Sequence, residues 1–331
     1  MSDCLLLTGA DGYVGQRLKD RLRSSIEVIG VSRSVRAEAT CDLTDLSAVR
    51  DLARDVTPRW IVHAAGNKNI SACERSPATA LEANVTTTTN LLRAWPDVPL
   101  LYISTDYVFC GTRGRYTEAS PVAPNTAYGR SKLCAELSGR LLGPSSFTSV
   151  RVSALYDKSA TFLNFLSTEL SAGRPVECFV DAYYSPTYIE DFAAALASLL
   201  DAPTRPPVVH IAGARISRFD FARQYAASFG FDKQLIRPAR LTTGQTSLYP
   251  DLSLATPIAR TELGFVPTEH AFALRQIARG GALASAESIP PFRRLPRSDA
   301  WSDQRRAVGG DQLHRDRGLL HPGGPLSPGH A

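Results

Sequence analysis

The sequence predicts a doubly wound α/β fold, a parallel sheet covered by helices on both faces, with a smaller lobe interleaved with it. Short apolar runs alternate with helical patterns over the first 150 residues, and a glycine-rich turn joins the first run to the first helix. No stretch approaches the roughly 18 apolar residues of a membrane span. Strand–helix–strand repetition needs crossover connections, which make neighbouring strands parallel and bury both faces of the sheet.

The buried strands are Cys4 to Thr8, Glu27 to Val31, Trp60 to His63, Leu100 to Ser104 and Thr148 to Ser153. Helix composition fills Tyr13 to Arg23, Leu46 to Val56, Ala78 to Arg93 and Ala127 to Leu142. Asp42, Thr44 and Asp45 offer caps just ahead of the stripe Leu46, Val49, Leu52 and Ala53. From about Tyr156 the pattern loosens. Helices at Thr161 to Ala172, Ile189 to Leu200 and Phe219 to Phe229 then alternate with strands at Val176 to Val180 and Val208 to Ile211. The division expected is 1–155 for a nucleotide-binding domain and 156–285 for a partly interleaved substrate lobe. Residues 286–331 are expected to be a disordered tail, because twelve of the last 44 residues are Gly or Pro and no apolar period survives.

Of 331 residues, 44% are hydrophobic and 21% charged, which is the composition of a globular chain. Net charge is +5, and the 44 residues from Ser288 hold +3 of it, so no basic face for nucleic acid is expected. The N-terminus has no basic region and too short an apolar run for export, which implies a cytoplasmic chain without membrane attachment. Cys4, Cys41, Cys73, Cys110, Cys134 and Cys178 form no C-x-x-C pair and are expected to be reduced. His314, His321 and His330 match no metal-ligand spacing, and no metal is expected.

The first strand runs into Thr8-Gly9-Ala10-Asp11-Gly12-Tyr13-Val14-Gly15. Glycines let this backbone turn tightly and approach a pyrophosphate, which sits on the free N–H groups of the following helix. Gly9, Asp11, Gly12, Tyr13 and Val14 are the candidate cofactor contacts. The second strand ends Gly30-Val31-Ser32-Arg33-Ser34 with Arg36 behind it, and no carboxylate for a ribose diol. A guanidinium forks onto a phosphate, so Arg33 points to NADP(H); a solvated surface arginine is the alternative in a chain with 32 of them.

The fourth of the early strands ends Ser104-Thr105-Asp106-Tyr107, and 21 residues past Asp106 a helix opens Ala127-Tyr128-Gly129-Arg130-Ser131-Lys132. Tyr128 and Lys132 are i and i+4, on one helix face. An ammonium beside a phenol is expected to lower its pKa and make Tyr128 a proton donor near neutral pH. Thr105 stands at a strand's C-terminal end, where open α/β sheets hold substrate. With 11 Tyr and five Lys, chance supplies ~0.2 such Y-x-x-x-K pairs. Other residues have blander readings. His63 reads as a packed residue under the cofactor floor, Glu136 as a partner of Lys132 or Arg140, and the pair Tyr183-Tyr184 as either a sugar flank or core.

These motifs resemble the extended short-chain dehydrogenase/reductase superfamily, a Rossmann-type fold, and within it the dTDP-4-dehydrorhamnose reductase-like branch. The resemblance covers roughly residues 4 to 280. Its marks are Gly9, Gly12 and Gly15, then Cys41-Asp42-Leu43, His63-Ala64-Ala65-Gly66, Asn84, and Tyr128 with Lys132. More specific to the branch are Ser104 to Phe109 followed by Gly111, Tyr116-Thr117-Glu118, Ser185-Pro186-Thr187 with Asp191, and Leu263-Gly264-Phe265. The resemblance implies hydride transfer from NADPH to a sugar ketone, with Tyr128 donating the proton and Thr105 bonding the reacting oxygen. Lys132 would hold the nicotinamide ribose, Asp42 and Leu43 would lie by the adenine, and Ala64, Ala65 and Gly66 would line the cofactor. Asp106 would tune the site or bind substrate hydroxyls, and Tyr107 would meet substrate.

Sugar-nucleotide dehydratases of the superfamily carry Asp-Glu after the equivalent of Thr105, and here Tyr107 follows Asp106, which argues against dehydration. This chain departs from the branch at Cys110, where an acid is common, at Asn67-Lys68-Asn69, where Tyr-Thr is common, and around Ser253-Leu254-Ala255. Lys68, Arg113 and Arg115 fit either the diphosphate of a nucleotide sugar or a solvated loop. The expected activity is NADPH-dependent C4 reduction of a dTDP-4-keto-6-deoxyhexose. A nucleotide-sugar epimerase with tightly bound NAD is one alternative. Another is a non-catalytic NADP-binding subunit like that of methionine adenosyltransferase. A homodimer is left open.

Overall fold

The computed structural model describes residues 4–34, 37–143, 145–242 and 249–280. Arg36 and the expected tail 286–331 lie outside the described residues. The main sheet has seven strands in the order β11-β6-β5-β4-β1-β2-β3, every pair parallel. These are β1 Cys4–Thr8, β2 Glu27–Ser32, β3 Ala39–Thr40, β4 Trp60–His63, β5 Leu100–Thr105, β6 Phe147–Val152 and, from much later in the chain, β11 Val208–His210. Residues of β1, β4, β5 and β6 are buried throughout, as expected of strands covered on both faces. Strand order reverses at β1, which lies between β4 and β2. Open α/β sheets take ligands outside the strand C-termini at such a point.

Helices α1 (Tyr13–Leu22) and α8 (Ile189–Asp201) cover one face, where Leu5, Leu7, Leu18, Leu196 and Phe192 pack together. Helices α2 (Leu46–Asp55), α5 (Thr87–Ala94) and α6 (Ala127–Leu142) cover the other, around Leu6, Val49, Leu91, Tyr102 and Phe147. Fully burying a Leu or Phe stabilises the fold by roughly 1.5–3 kcal/mol. Asp45 is the cap of α2, its carboxylate accepting from the Ser47 N–H.

The continuous helix expected over Ala78 to Arg93 is instead broken. After α3 (Ile70–Arg75), a short α4 (Pro77–Leu81) runs into a π turn at Glu82–Thr86 before α5. A π turn adds one residue and re-aims the side chains beyond it. Here it buries Asn84, whose amide donates to Ser131 Oγ at 2.8 Å while its carbonyl accepts from the Asn67 N–H at 3.1 Å. Composition alone carried no sign of that break.

Beyond β6 the structure adds small ladders; of their strands the sequence patterning showed only β8, expected at Val176 to Val180. β7 (Leu155–Tyr156) pairs with β10 (Thr187–Tyr188), β8 (Val176–Phe179) with β13 (Ile236–Ala239), and β9 (Tyr183–Tyr184) with β12 (Ile216–Ser217). Two-residue strands have no period to read. Helices α7 (Thr161–Ser171), α9 (Arg218–Phe229) and α11 (His270–Ala278) enclose a second core around Leu166, Phe221, Tyr225 and Leu274. The remaining helix, α10 (Pro257–Leu263), packs against the first core through Ala259 and ends at Gly264, φ +63°.

Candidate active site

The glycine turn is held by backbone contact. Gly9 has φ +68°, and a Cβ there would lie 2.7 Å from the Ala65 nitrogen; one on Gly15 would lie 2.1 Å from the Gly9 carbonyl oxygen. Only glycine fits at either position. Gly12 begins α1 and offers its first turn no side-chain cap, so the N–H groups there are free for an anion. The turn therefore fits the diphosphate of a dinucleotide. Asp11 accepts from Ser32 Oγ at 2.7 Å, tying the turn to the end of β2.

At that end Arg33 is exposed. A carboxylate does come near, unexpectedly: Glu38 accepts from the Gly30 N–H at 3.1 Å and pairs with Lys19. Asp42 turns back on Thr44, accepting from its N–H at 3.0 Å and its hydroxyl at 2.8 Å. Leu43 is packed in the core beside Val49. Beneath the turn, His63 is fully buried between Thr8 (Nδ1 to Oγ1, 2.7 Å) and Thr87 (Nε2 to Oγ1, 3.2 Å). Burial pushes its pKa down to about 3, so it stays neutral and structural.

A cavity of about 510 Å³ opens at the C-terminal ends of β4, β5 and β6. It brings together Tyr13, Val14, Ala64, Ala65, Gly66, Lys68, Thr105, Asp106, Tyr107, Tyr128 and Lys132. Gly9, Asp11, Gly12, Arg33, Asp42, Leu43 and Arg113 are not in its wall. The Arg113 N–H instead donates to the Tyr116 hydroxyl at 3.2 Å, within the loop after β5. Cys110 lies in the same loop. Hydrogen bonds from Thr112 and Tyr116 bring its thiol down to about 7.

Thr105 ends β5 and caps the turn that follows, accepting from the Tyr107 N–H at 3.3 Å and donating to Asp106 Oδ1 at 3.0 Å. Ser153 Oγ donates to Asp106 Oδ2 at 2.7 Å. Burial raises the Asp106 carboxyl to about 6 against the opposing pull of those hydroxyls and of Arg218. Tyr128, in the first turn of α6, lines the same cavity as Thr105. A Cβ on Gly129 would lie 2.2 Å from the Tyr107 carbonyl oxygen, so glycine lets α6 start directly against the turn after Thr105.

The expected lowering of the Tyr128 pKa is overturned. Burial raises it, and the nearby Thr105 hydroxyl offsets that only in part. Lys132 does share the cavity, but its ammonium donates to the Ile103 carbonyl at 2.6 Å and lies 4.0 Å from the centre of the Tyr102 ring. Burial brings Lys132 itself down to about 7, which weakens any field it exerts on the phenol. Glu136 pairs with neither Lys132 nor Arg140. It takes Arg151 of β6, at 2.7 Å, and the Ser104 hydroxyl.

Among the wall residues that sequence reasoning missed are two that carry polar groups into the site. Ser153 follows β6 and holds Asp106. Arg218 opens α9, with its guanidinium 4.5 Å from the Tyr184 ring centre and 5.7 Å from that of Phe162. Among the described residues no carboxylate forms an ion pair with it. Nothing short of the β9–β12 pairing reveals that Arg218 faces the cavity. Among the described residues no cluster of three or more His, Cys, Asp or Glu is arranged to hold a metal ion, and no helix is long and apolar enough to cross a membrane.

Residues 3–269 match the family described as the RmlD substrate binding domain. The chain belongs to this family. It is an extended short-chain dehydrogenase/reductase of the RmlD-like branch. A dTDP-4-dehydrorhamnose reductase of Mycolicibacterium smegmatis is 31% identical over 247 residues, covering 72% of this chain and 73% of the relative. The crystal structure of a hypothetical dTDP-4-dehydrorhamnose reductase from Sulfolobus tokodaii superposes with a TM-score of 0.72 at 30% identity, covering 82% of this chain and 98% of that one. A Bacillus anthracis dTDP-4-dehydrorhamnose reductase, solved in complex with NADP, shares the RmlD-like fold, with a TM-score of 0.75 at 23% identity over 85% of this chain and all of that one.

Proposed function

We propose that this chain is an NADPH-dependent ketoreductase of a nucleotide-linked deoxysugar, acting at C4 of a dTDP-4-keto-6-deoxyhexose. The observation that carries the reading is the meeting of Thr105, Tyr128 and Lys132 in one cavity beside an uncapped glycine turn. Reductase names among its relatives and the NADP held by the Bacillus anthracis homologue support it.

Gly9 to Val14 would hold the cofactor diphosphate on the N-terminus of α1, and Arg33 would meet a 2′-phosphate. Ala64, Ala65 and Gly66 would form the floor under the nucleotide, and Lys132 would donate to the nicotinamide ribose. NADPH supplies the hydride. Tyr128 gives its phenolic proton to the carbonyl oxygen as the new C–H bond forms, and Thr105 hydrogen-bonds the same oxygen. The raised pKa of Tyr128 suits a donor: the phenol keeps its proton until negative charge develops on the substrate. Lys68 and Arg218 bring positive charge to the wall where a nucleotide diphosphate would pass.

The test is NADPH oxidation by purified protein offered dTDP-4-keto-6-deoxyglucose and, separately, its 3,5-epimerised product. Wild type should turn over one of them, and Tyr128→Phe should lose about 10²- to 10⁴-fold in kcat. NADPH binding without turnover of either sugar would sink the reading and favour a non-catalytic nucleotide-binding subunit.

A further inference from the structure

A threonine hydroxyl has one proton to give and two lone pairs to receive. At Thr105 the proton goes to Asp106 Oδ1, and a lone pair receives the Tyr107 N–H. With Asp106 ionised, therefore, Thr105 has no proton aimed at a ketone oxygen in the cavity.

Protonating Asp106 reverses this. Its Oδ2 already receives the Ser153 hydroxyl at 2.7 Å, and Ser153 Oγ itself receives the Ser185 N–H at 3.4 Å, which keeps the serine proton directed at Asp106. The added proton belongs on Oδ1, from which it donates to Thr105. The lone pairs of Thr105 are then filled by Asp106 O–H and Tyr107 N–H, and its own proton swings free. One proton on a buried carboxyl frees that donor for the cavity.

We propose that Asp106 is a positioning residue that sets the direction of the Thr105 hydroxyl, and that carbonyl reduction runs from its protonated form. The proposal rests on the reductase reading. No covalent bond to Asp106 is made or broken in the reduction step: the Tyr128 O–H bond breaks, the substrate O–H bond forms, and the Asp106 proton stays on the carboxyl. The groups facing that carboxyl are Thr105, Ser153 after β6, Arg218 of α9, Tyr107, and Tyr128 of α6. Burial, working against the hydroxyls and Arg218, leaves both forms of Asp106 populated near neutral pH.

The test uses Asp106→Asn, whose amide N–H₂ donates to Thr105 as the protonated acid does, while its carbonyl still receives Ser153. Wild-type kcat/KM for the keto sugar should fall tenfold per pH unit above the Asp106 pKa. In Asp106→Asn that limb should vanish with turnover retained. Difference infrared spectroscopy of the protein without substrate should show a carboxylic-acid band titrating at the same pH, absent from the variant. An unchanged pH limb in Asp106→Asn overturns the proposal. So does loss of all turnover in a variant that still folds and binds NADPH, because chemistry by the carboxyl would then be needed. If wild type fails on every keto sugar, the reductase reading falls and takes the kinetic claim with it. The infrared band still shows whether Asp106 titrates as proposed, so the two failures are told apart.

Discussion

Glu136 and Arg151 form an ion pair in the interior, Nη2 to Oε2 at 2.7 Å, with side-chain exposures of 0% and 3%. Arg151 Nε also donates to both carboxylate oxygens. Glu136 lies one helical turn beyond Lys132, which itself lies one turn beyond Tyr128, so the pair locks the rotation of α6 against β6. Removing one partner leaves a buried charge uncompensated, at a cost of about 3–5 kcal/mol. Glu136→Gln should therefore lower the unfolding free energy by about that amount, seen as a fall in the denaturant midpoint, and Glu136→Gln with Arg151→Met should recover much of it. Equal destabilisation by single and double variants would mean that the charge of Arg151 finds compensation elsewhere.

Lys132 gives a pH signature of its own. Its folded pKa is brought down to about 7 by burial, below the ordinary lysine value of 10.5. Between those two pH values the unfolded chain binds the proton and the folded chain does not, so stability rises with pH through that window. Below about pH 7 both states bind it, and the whole penalty of burying the ammonium is present. Lys132→Met should flatten the slope of unfolding free energy between pH 7 and 10 in protein without nucleotide. An unaltered slope would show that Lys132 keeps its charge when buried.

How far the sequence carried the site depends on which residues are local. The Tyr128–Lys132 spacing, the glycine turn and helix Ala127–Leu142 were legible because each lies within one element, where periodicity and turn chemistry act. Arg218 and Ser153 were not. Each reaches the wall through pairings distant in sequence: Arg218 through β9 and β12, Ser153 through its bond to Asp106, 47 residues away. The direction of the Tyr128 pKa was misjudged for a related reason. Spacing puts Lys132 on the correct face, and only the fold shows its ammonium spent on the carbonyl of Ile103.

Gly129 tests how closely α6 must approach Thr105. An added Cβ would lie 2.2 Å from the Tyr107 carbonyl oxygen, a backbone atom with little room to give. Gly129→Ala should cost about 1–3 kcal/mol of stability through overpacking. It should cost proportionally more in kcat, because the displaced helix start carries Tyr128 away from Thr105. Full turnover in the folded variant would show that the tight contact does not set the Tyr128 geometry.

Arg218 is the residue on which substrate choice should turn. The wall holds three cations, Lys68, Lys132 and Arg218, and among the described residues Asp106 is its one acid. Lys132 is engaged with Ile103, and Asp106 with Thr105 and Ser153. That leaves Lys68, beside the Tyr13 ring, and Arg218, braced between Tyr184 and Phe162 with its planar guanidinium available for an anion. A charge-assisted hydrogen bond is worth about 1.5–3 kcal/mol, so Arg218→Ala should raise KM for the nucleotide sugar roughly 10- to 100-fold. Its effect on kcat should be small, because the diphosphate does not change charge in the reaction. Arg218→Lys keeps the charge but not the planar fork, and should recover only part of the loss. Affinity for NADPH should be the same in all three proteins. A fall in NADPH affinity with KM for the sugar intact would assign Arg218 to the cofactor.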